Sequence, residues 1–302
     1  PTGDAIYCNL AAATRSGGLW QVDAQGQLLR LDPSTGETFQ TGVQSPELKG
    51  MELVSALEDR LQRVWLGNLS YDLSRVDLRT GEFIHWPPSS LEPASAMSPA
   101  EWITEHGDTV WMTFLDMVQQ RDLRTGKVLQ RITQQDLHGL RSIRIQQLDN
   151  GPDGRIWAAG DGGMFAWDDA SHRFVPVAGL DGEAIHAFAS QSAGTVWMYR
   201  SSGAEQWQKA ADRWKLVRRI GQADGLSSFD ASAMQIDPRG RVWISSLRGL
   251  WRIDPSVNPA RVRNIGTRDG LTSQEFVQHC MLMSGDTLIG ATSDGSNVLL
   301  DT

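Results

Sequence analysis

Six histidines (His85, His106, His138, His172, His186 and His279) are the most versatile acid–base groups of the chain, and they are scattered along its length. None belongs to an H-E-x-x-H pair that would hold a metal from one helix face, and no G-x-S-x-G run marks a nucleophile elbow. Gly160-Asp161-Gly162-Gly163 has the glycines of a phosphate cradle, but no helix pattern follows to supply the N-terminal amides. No D-x-D-x-D-G run suggests an EF-hand-type calcium loop. The paired carboxylates Asp168 and Asp169 stand in a turn position, where the turn preference of Asp explains them. Only two cysteines occur, Cys8 and Cys280, in no metal-ligand spacing, so a structural zinc site is excluded. No catalytic residue, metal ligand or cofactor is assigned. A site assembled from distant segments leaves no local motif, so the elements that would assemble one come next.

Those elements repeat. Trp20, Trp65, Trp111, Trp157, Trp197 and Trp243 each follow a turn, and Leu288 takes the same slot in a seventh copy. Successive anchors lie about 45 residues apart, the length of a four-stranded propeller blade. In the sixth copy Ala233-Met234-Gln235-Ile236 leads to the turn Asp237-Pro238-Arg239-Gly240, and then to Arg241-Val242-Trp243-Ile244-Ser245. A Gly turn precedes Leu250-Trp251-Arg252-Ile253, and elsewhere a fourth run such as Glu82-Phe83-Ile84-His85-Trp86 completes the unit. β-branched and aromatic runs between Gly, Asp and Pro turns read as strands. The predicted fold is all-β: a seven-bladed β-propeller of four-stranded antiparallel blades, one domain over residues 1–302. The blades are placed at 5–45, 46–92, 93–136, 137–180, 181–224, 225–269 and 270–302. The repeat tryptophans are assigned to packing between blades, and so are Trp167, Trp207 and Trp251 on third strands.

Blade seven supplies three strands, near 276–283, 287–292 and 297–300, and is expected to lack its outer strand within these residues. Cys8 and Cys280 are placed on the first strands of blades one and seven. A bridge there would staple the ends, but bridging needs Cα atoms within about 7 Å, and adjacent first strands diverge. The spacing leaves the bridge open.

Composition narrows the partners. With 28 Lys and Arg against 36 Asp and Glu, the net charge is −8, which argues against a nucleic-acid backbone as partner. No run approaches the 18 or so apolar residues of a spanning helix, so this segment is not expected to insert into a membrane. The chain opens on Pro1 with no basic and apolar leader, as in a processed protein or a segment of a longer one.

The stretch from Asp237 to Pro255, with Arg241-Val242-Trp243-Ile244-Ser245 and Gly249-Leu250-Trp251-Arg252-Ile253-Asp254-Pro255, resembles the two-component regulator propeller repeat. Asp224-Gly225-Leu226-Ser227-Ser228 and Asp269-Gly270-Leu271-Thr272-Ser273 are similar to that family's connector between blades, and Pro152-Asp153-Gly154-Arg155-Ile156-Trp157 matches the repeat again. Blades four, six and seven carry the resemblance, while the others keep the Trp and little else. The resemblance implies the periplasmic sensor part of a membrane-bound bacterial receptor. Its output would be a histidine kinase or a diguanylate cyclase, neither present in these residues, and a homodimer would form through the parent receptor. The implied ligand is an unidentified small molecule or oligosaccharide.

In such a fold the loops leading into first strands share one side with the loops between second and third strands. The leading loops offer Arg141, Arg144, His186, Asp230, Gln274 and Glu275; the second-to-third loops offer Tyr71, Asp72, Asp161, Arg200, Arg248 and Asp294. Arg141, Arg144 and Arg248 are the expected anchors, because a guanidinium fork suits carboxylates and sugar hydroxyls. His186, Asp230 and Glu275 are expected to supply the remaining polar contacts. The alternative for the arginines is pairing with loop acids. Alternatives for the whole chain are a propeller enzyme, such as a lyase or glycan hydrolase, and a protein-binding scaffold.

Overall fold

A computed structural model of the chain describes residues 19–32, 35–70, 72–87, 98–114, 117–133, 145–227, 231–294 and 296–302. Blade one shows β1 (Leu19–Val22), β2 (Gln27–Leu31) and β3 (Thr38–Gln44); its expected first strand lies outside the described residues. Blade two is β4 (Leu53–Glu58), β5 (Arg63–Asn68), β6 (Leu73–Asp77) and β7 (Phe83–Trp86). Blade three is β8 (Trp102–His106), β9 (Thr109–Phe114), β10 (Met117–Asp122) and β11 (Val128–Thr133). Blade four is β12 (Ile145–Asn150), β13 (Ile156–Gly160), β14 (Gly163–Asp168) and β15 (Arg173–Asp181). Blade five is β16 (Ala187–Ser192), β17 (Thr195–Arg200), β18 (Gly203–Ala210) and β19 (Arg213–Ile220). Blade six is β20 (Ala231–Ile236), β21 (Val242–Ser246), β22 (Gly249–Asp254) and β23 (Arg261–Ile265). Blade seven is β24 (Phe276–Ser284), β25 (Thr287–Thr292) and β26 (Asn297–Asp301), three strands as expected. Every sheet is a meander in sequence order, and the fold is a seven-bladed β-propeller. Two compact units are distinguished, residues 1–131 with 282–302, and residues 132–281.

The six repeat tryptophans are each 0–1% exposed, and each is set by a strand of its own blade. A buried indole N–H calls for an acceptor; five of the six have one, while the Trp20 Nε1 of blade one has no partner among the described residues. In blade two the Trp65 indole donates to Asp59 Oδ2 at 3.0 Å, and Arg63 Nε donates to the same oxygen at 3.0 Å. The other carboxylate oxygen accepts the Leu61 and Arg63 backbone amides and so closes the turn. Blade six repeats this atom for atom: Trp243 and Arg241 donate to Asp237 Oδ2 at 2.8 and 2.6 Å, and Arg239 and Arg241 amides donate to Oδ1. In blade four Asp153 serves Trp157 and Arg155 at closer sequence spacing. Thr109 and Gln191 accept from Trp111 and Trp197 in blades three and five.

The D-G-L runs of both connectors take the same local fold, and Ser228 lies outside the described residues. Short 3-10 turns at Gln222–Asp224 and Thr267–Asp269 end on Gly225 (φ 91°) and Gly270 (φ 106°), left-handed conformations that favour glycine. Asp224 and Asp269 accept the Gly221 and Gly266 amides, and Leu226 is buried in the core of blades five and six. First strands are also laced sideways. In residues 132–281, the Gln147 amide donates to Phe188 O at 3.0 Å and accepts Phe188 N at 2.8 Å, joining β12 to β16. Gln235 Nε2 donates to Met281 O at 3.2 Å in the same way. Cys280 is buried and disulfide-bonded; Cys8 lies outside the described residues.

In the other unit, Trp65 and Trp86 stack with centroids 5.6 Å apart, Arg75 lies over both, and Arg121 lies over Trp86 at 5.0 Å. Arg121 is 1% exposed; its Nε donates to Gln119 and its Nη1 to Gly126 O. No carboxylate among the described residues pairs with it, and burial pushes its guanidinium down to about 10. A buried cation without a counter-ion costs desolvation that its contacts only partly return. Arg121→Met is therefore expected to keep or raise the melting temperature; a clear fall would show the guanidinium to be stabilising.

Burial raises the Asp237 carboxyl, but the hydrogen bonds from Trp243 and Arg241 outweigh it and hold the group below its ordinary value. A depressed carboxyl adds stability that is full above its unfolded pKa and is lost as pH falls through the folded one. Asp237→Asn should cost about 3 kcal/mol in urea unfolding at neutral pH. The gap from wild type should narrow below about pH 4, where the unfolded carboxyl begins to protonate. A gap unchanged in acid would remove the charge from the account.

Candidate functional site

Within residues 132–281 the backbone brings leading loops and second-to-third loops to one side. The Ile185 amide donates to Gly160 O at 3.0 Å across blades four and five, and the Gly249 amide donates to Gln274 O at 2.7 Å across blades six and seven. Gly249 itself is demanded by the close approach of its own blade's outer strand. Its φ is 102°, and a Cβ there would stand 2.6 Å from Ile265 O. Arg248 and Glu275 therefore flank one backbone hydrogen bond and come together by construction of the chain. Both are exposed. The Arg248 amide donates to Ser246 Oγ, its carbonyl accepts from Asn264, and its guanidinium makes no ion pair among the described residues. The Glu275 amide donates to Ser273 Oγ at 3.2 Å.

His186 is half-buried at the head of β16, where its amide donates to Tyr199 O. Its Nε2 lies 3.4 Å from Ser201 Oγ, and its ring tilts against Tyr199 at 6.3 Å. No hydrogen bond joins it to Arg248 or Glu275. Arg141, Arg144 and Asp230 lie outside the described residues. Asp72 and Asp294 serve their own turns: the Asp72 amide donates to Asn68 Oδ1, and Asp294 Oδ1 accepts Thr292 Oγ1 and the Ser296 amide. Among the described residues no group of three or more His, Cys, Asp or Glu could hold a metal ion. No helix there is long and apolar enough to cross a membrane.

Arg200 departs from expectation. It ends β17 and is 3% exposed, so it is not a loop residue open to a ligand. Its Nη1 and Nη2 donate to Glu183 O and Leu180 O at 2.5 and 3.2 Å, and its Nε stands 3.2 Å from Glu205 Oε2. Glu205, fully buried, also accepts Trp207 Nε1 at 2.9 Å and Arg219 Nε at 2.7 Å. Burial draws the Arg200 guanidinium below its ordinary value, and Glu205 opposes that shift. The cluster pins the leading segment of blade five, 180–183, to its second and third strands, and so sets the height of His186. A one-residue alternation places Arg200 and Glu205 on the same side of the sheet, but only the pairing register shows that they meet. Between the first strands of blades four, five and six lies a cavity of about 220 Å³ lined by Gln147, Asp149, Ser190 and Gln235 among others.

No family model matches the chain, and no curated relative matches it. Solved structures do. The extracellular domain assigned to the hybrid two-component system BT3049 from B. thetaiotaomicron is 15% identical with a TM-score of 0.74, over 97% of this chain and 38% of that one. The extracellular domain assigned to the hybrid two-component system BT4673 from the same organism is 14% identical with a TM-score of 0.69, over 98% of this chain and 39% of that one. Virginiamycin B lyase from Staphylococcus aureus is 11% identical with a TM-score of 0.68, over 96% of this chain and 93% of that one. At these identities the likeness establishes the fold. The chain spans less than two-fifths of the two extracellular domains, both from the class of protein that the repeat resembles.

Glu205→Gln keeps the shape but leaves Arg200 only a 3.9 Å contact with the exposed carboxylate of Glu183, and Arg219 no ion pair among the described residues. Breaking one partner of a buried ion pair costs about 3–5 kcal/mol, so chemical unfolding should show a loss of that order. A loss below about 1 kcal/mol, the level of an exposed pair, would mean the cluster is open to water.

Proposed function

We propose that this chain is the ligand-sensing ectodomain of a bacterial membrane receptor, facing the periplasm and controlling a histidine kinase or diguanylate cyclase carried elsewhere in the parent protein. The observation that carries the reading is the near-complete overlay on extracellular domains assigned to hybrid two-component systems, joined to the repeat and connector wording at Asp237–Pro255 and at the two D-G-L runs. The ligand is a small acid or oligosaccharide, held on the side where leading and second-to-third loops meet. Arg248 supplies donors, Glu275 and His186 accept or donate beside it, and Arg141, Arg144 and Asp230 complete the set. A cationic fork on a chain of net charge −8 draws an anionic group locally. Binding alone does the work: it biases the geometry of a receptor dimer.

The lyase likeness supports a second reading, an enzyme on the same fold, because it covers nearly all of both chains. One experiment separates the two. Wild type and the single Ala variants of Arg141, Arg144 and Arg248 are melted with and without a panel of small acids and oligosaccharides, and each mixture is assayed for turnover. Arg248→Ala should change the unliganded stability by less than about 0.5 kcal/mol, as exposed substitutions do, and should abolish the ligand-induced rise. A rise retained in all three variants removes the arginines from the site. Turnover of any panel member by the wild type overturns the sensor reading.

A further inference from the structure

The outer hairpins of blades five and six, residues 203–220 and 249–265, hold eight Lys and Arg against three Asp and Glu, inverting the balance of a chain that has 28 against 36. One of the three acids, Glu205, is buried and already neutralised by Arg200 and Arg219. Arg213 and Lys215 on β19 are exposed and make no ion pair among the described residues. On blade six, Arg252 and Arg263 stand directly opposite in the β22–β23 register, a like-charge pairing that costs stability and that the Arg263–Asp269 ion pair offsets in part. Arg241, Arg263 and Arg261 all add to the fall of the Arg252 guanidinium, after its burial. Cations are thus crowded here at some expense to the fold.

The same strip exposes apolar side chains. Among the described residues, Leu216 (41%), Val217 (56%) and Val257 (40%) are large hydrophobics left open to water. Val217 sits at a bulge, because Trp207 faces Leu216 while Gln206 faces Arg218, so it projects from the ladder unpaired. Arg218 Nη1 donates to Pro255 O at 2.6 Å, which ties this bulge to the loop that carries Val257. Apolar tips ringed by Arg and Lys fit one kind of surface: anionic headgroups over an acyl boundary.

We infer that this face, centred on Val217 and bordered by Arg213, Lys215, Arg218 and Arg261, rests on an anionic phospholipid bilayer without crossing it. The acidic remainder of the chain is repelled by the same surface, so contact also fixes orientation. The inference is independent of the sensor reading.

The test is sedimentation of the protein with vesicles of phosphatidylglycerol and phosphatidylcholine, and with phosphatidylcholine alone, at low and high salt. Wild type should pellet with the anionic vesicles at low salt and lose that binding in high salt. Arg213→Glu with Lys215→Glu should weaken it about tenfold or more, since each cation near such a surface adds roughly a fivefold gain. Val217→Asn, which removes the apolar tip without adding charge, should weaken vesicle binding while leaving retention on a polyanion resin unchanged; Lys127→Glu on blade three should change nothing. Melting curves confirm that the variants fold. Equal pelleting of wild type and the double variant, no pelleting of wild type, or binding to the polyanion resin and a second copy of the chain but not to vesicles would each overturn the proposal.

Discussion

A buried indole N–H calls for an acceptor, and meeting that demand organises blades two to six. Tryptophan is large enough to fill the space beside its sheet, yet leaving its one donor dry costs free energy, a cost that only Trp20 of the six carries among the described residues. Asp59 and Asp237 answer with both carboxylate oxygens, one closing the turn and one holding the ring. Turn geometry, Arg position and core filling are thereby decided by one side chain. Blade four keeps the carboxylate but shortens the spacing, and blades three and five use the neutral acceptors Thr109 and Gln191. In these five blades the acceptor is the constant; its charge is not.

This is why so much of the fold is legible in the chain. A constraint tied to one residue type at one strand position repeats with the blade, so the tryptophans alone reveal the period and the strand order. The D-G-L connectors are legible for the same reason: a left-handed glycine and a capping aspartate are demanded by local backbone. Side-chain burial at a strand end is not a local property. Arg200 looks like a loop cation because the turn begins one residue later, and only the neighbouring segment, whose carbonyls it caps, draws it inside. Glu205 is equally silent in sequence, since an acid on a third strand usually faces water.

The candidate site shows the converse. Arg248 and Glu275 are found from topology, because any chain of this blade order must bring those loops to one side. Their use is not dictated by the fold, which places most of its other described arginines and carboxylates in turns and beside tryptophans. Propellers separate scaffold from purpose in this way, with strand pattern fixing the frame and exposed loops free to take up a ligand.

The Gln147 clasp has a consequence for descent. Its amide is encoded in blade four but completes its bonding on Phe188 of blade five, and Gln235 reaches Met281 in the same direction. The unit that duplicates as a gene segment is therefore not the unit that closes its own hydrogen bonds. A blade copied or exchanged alone arrives owing a partner to its successor. Recombination within such an array should be tolerated best where adjacent blades travel as a pair, and inheritance would then run in steps longer than the visible repeat.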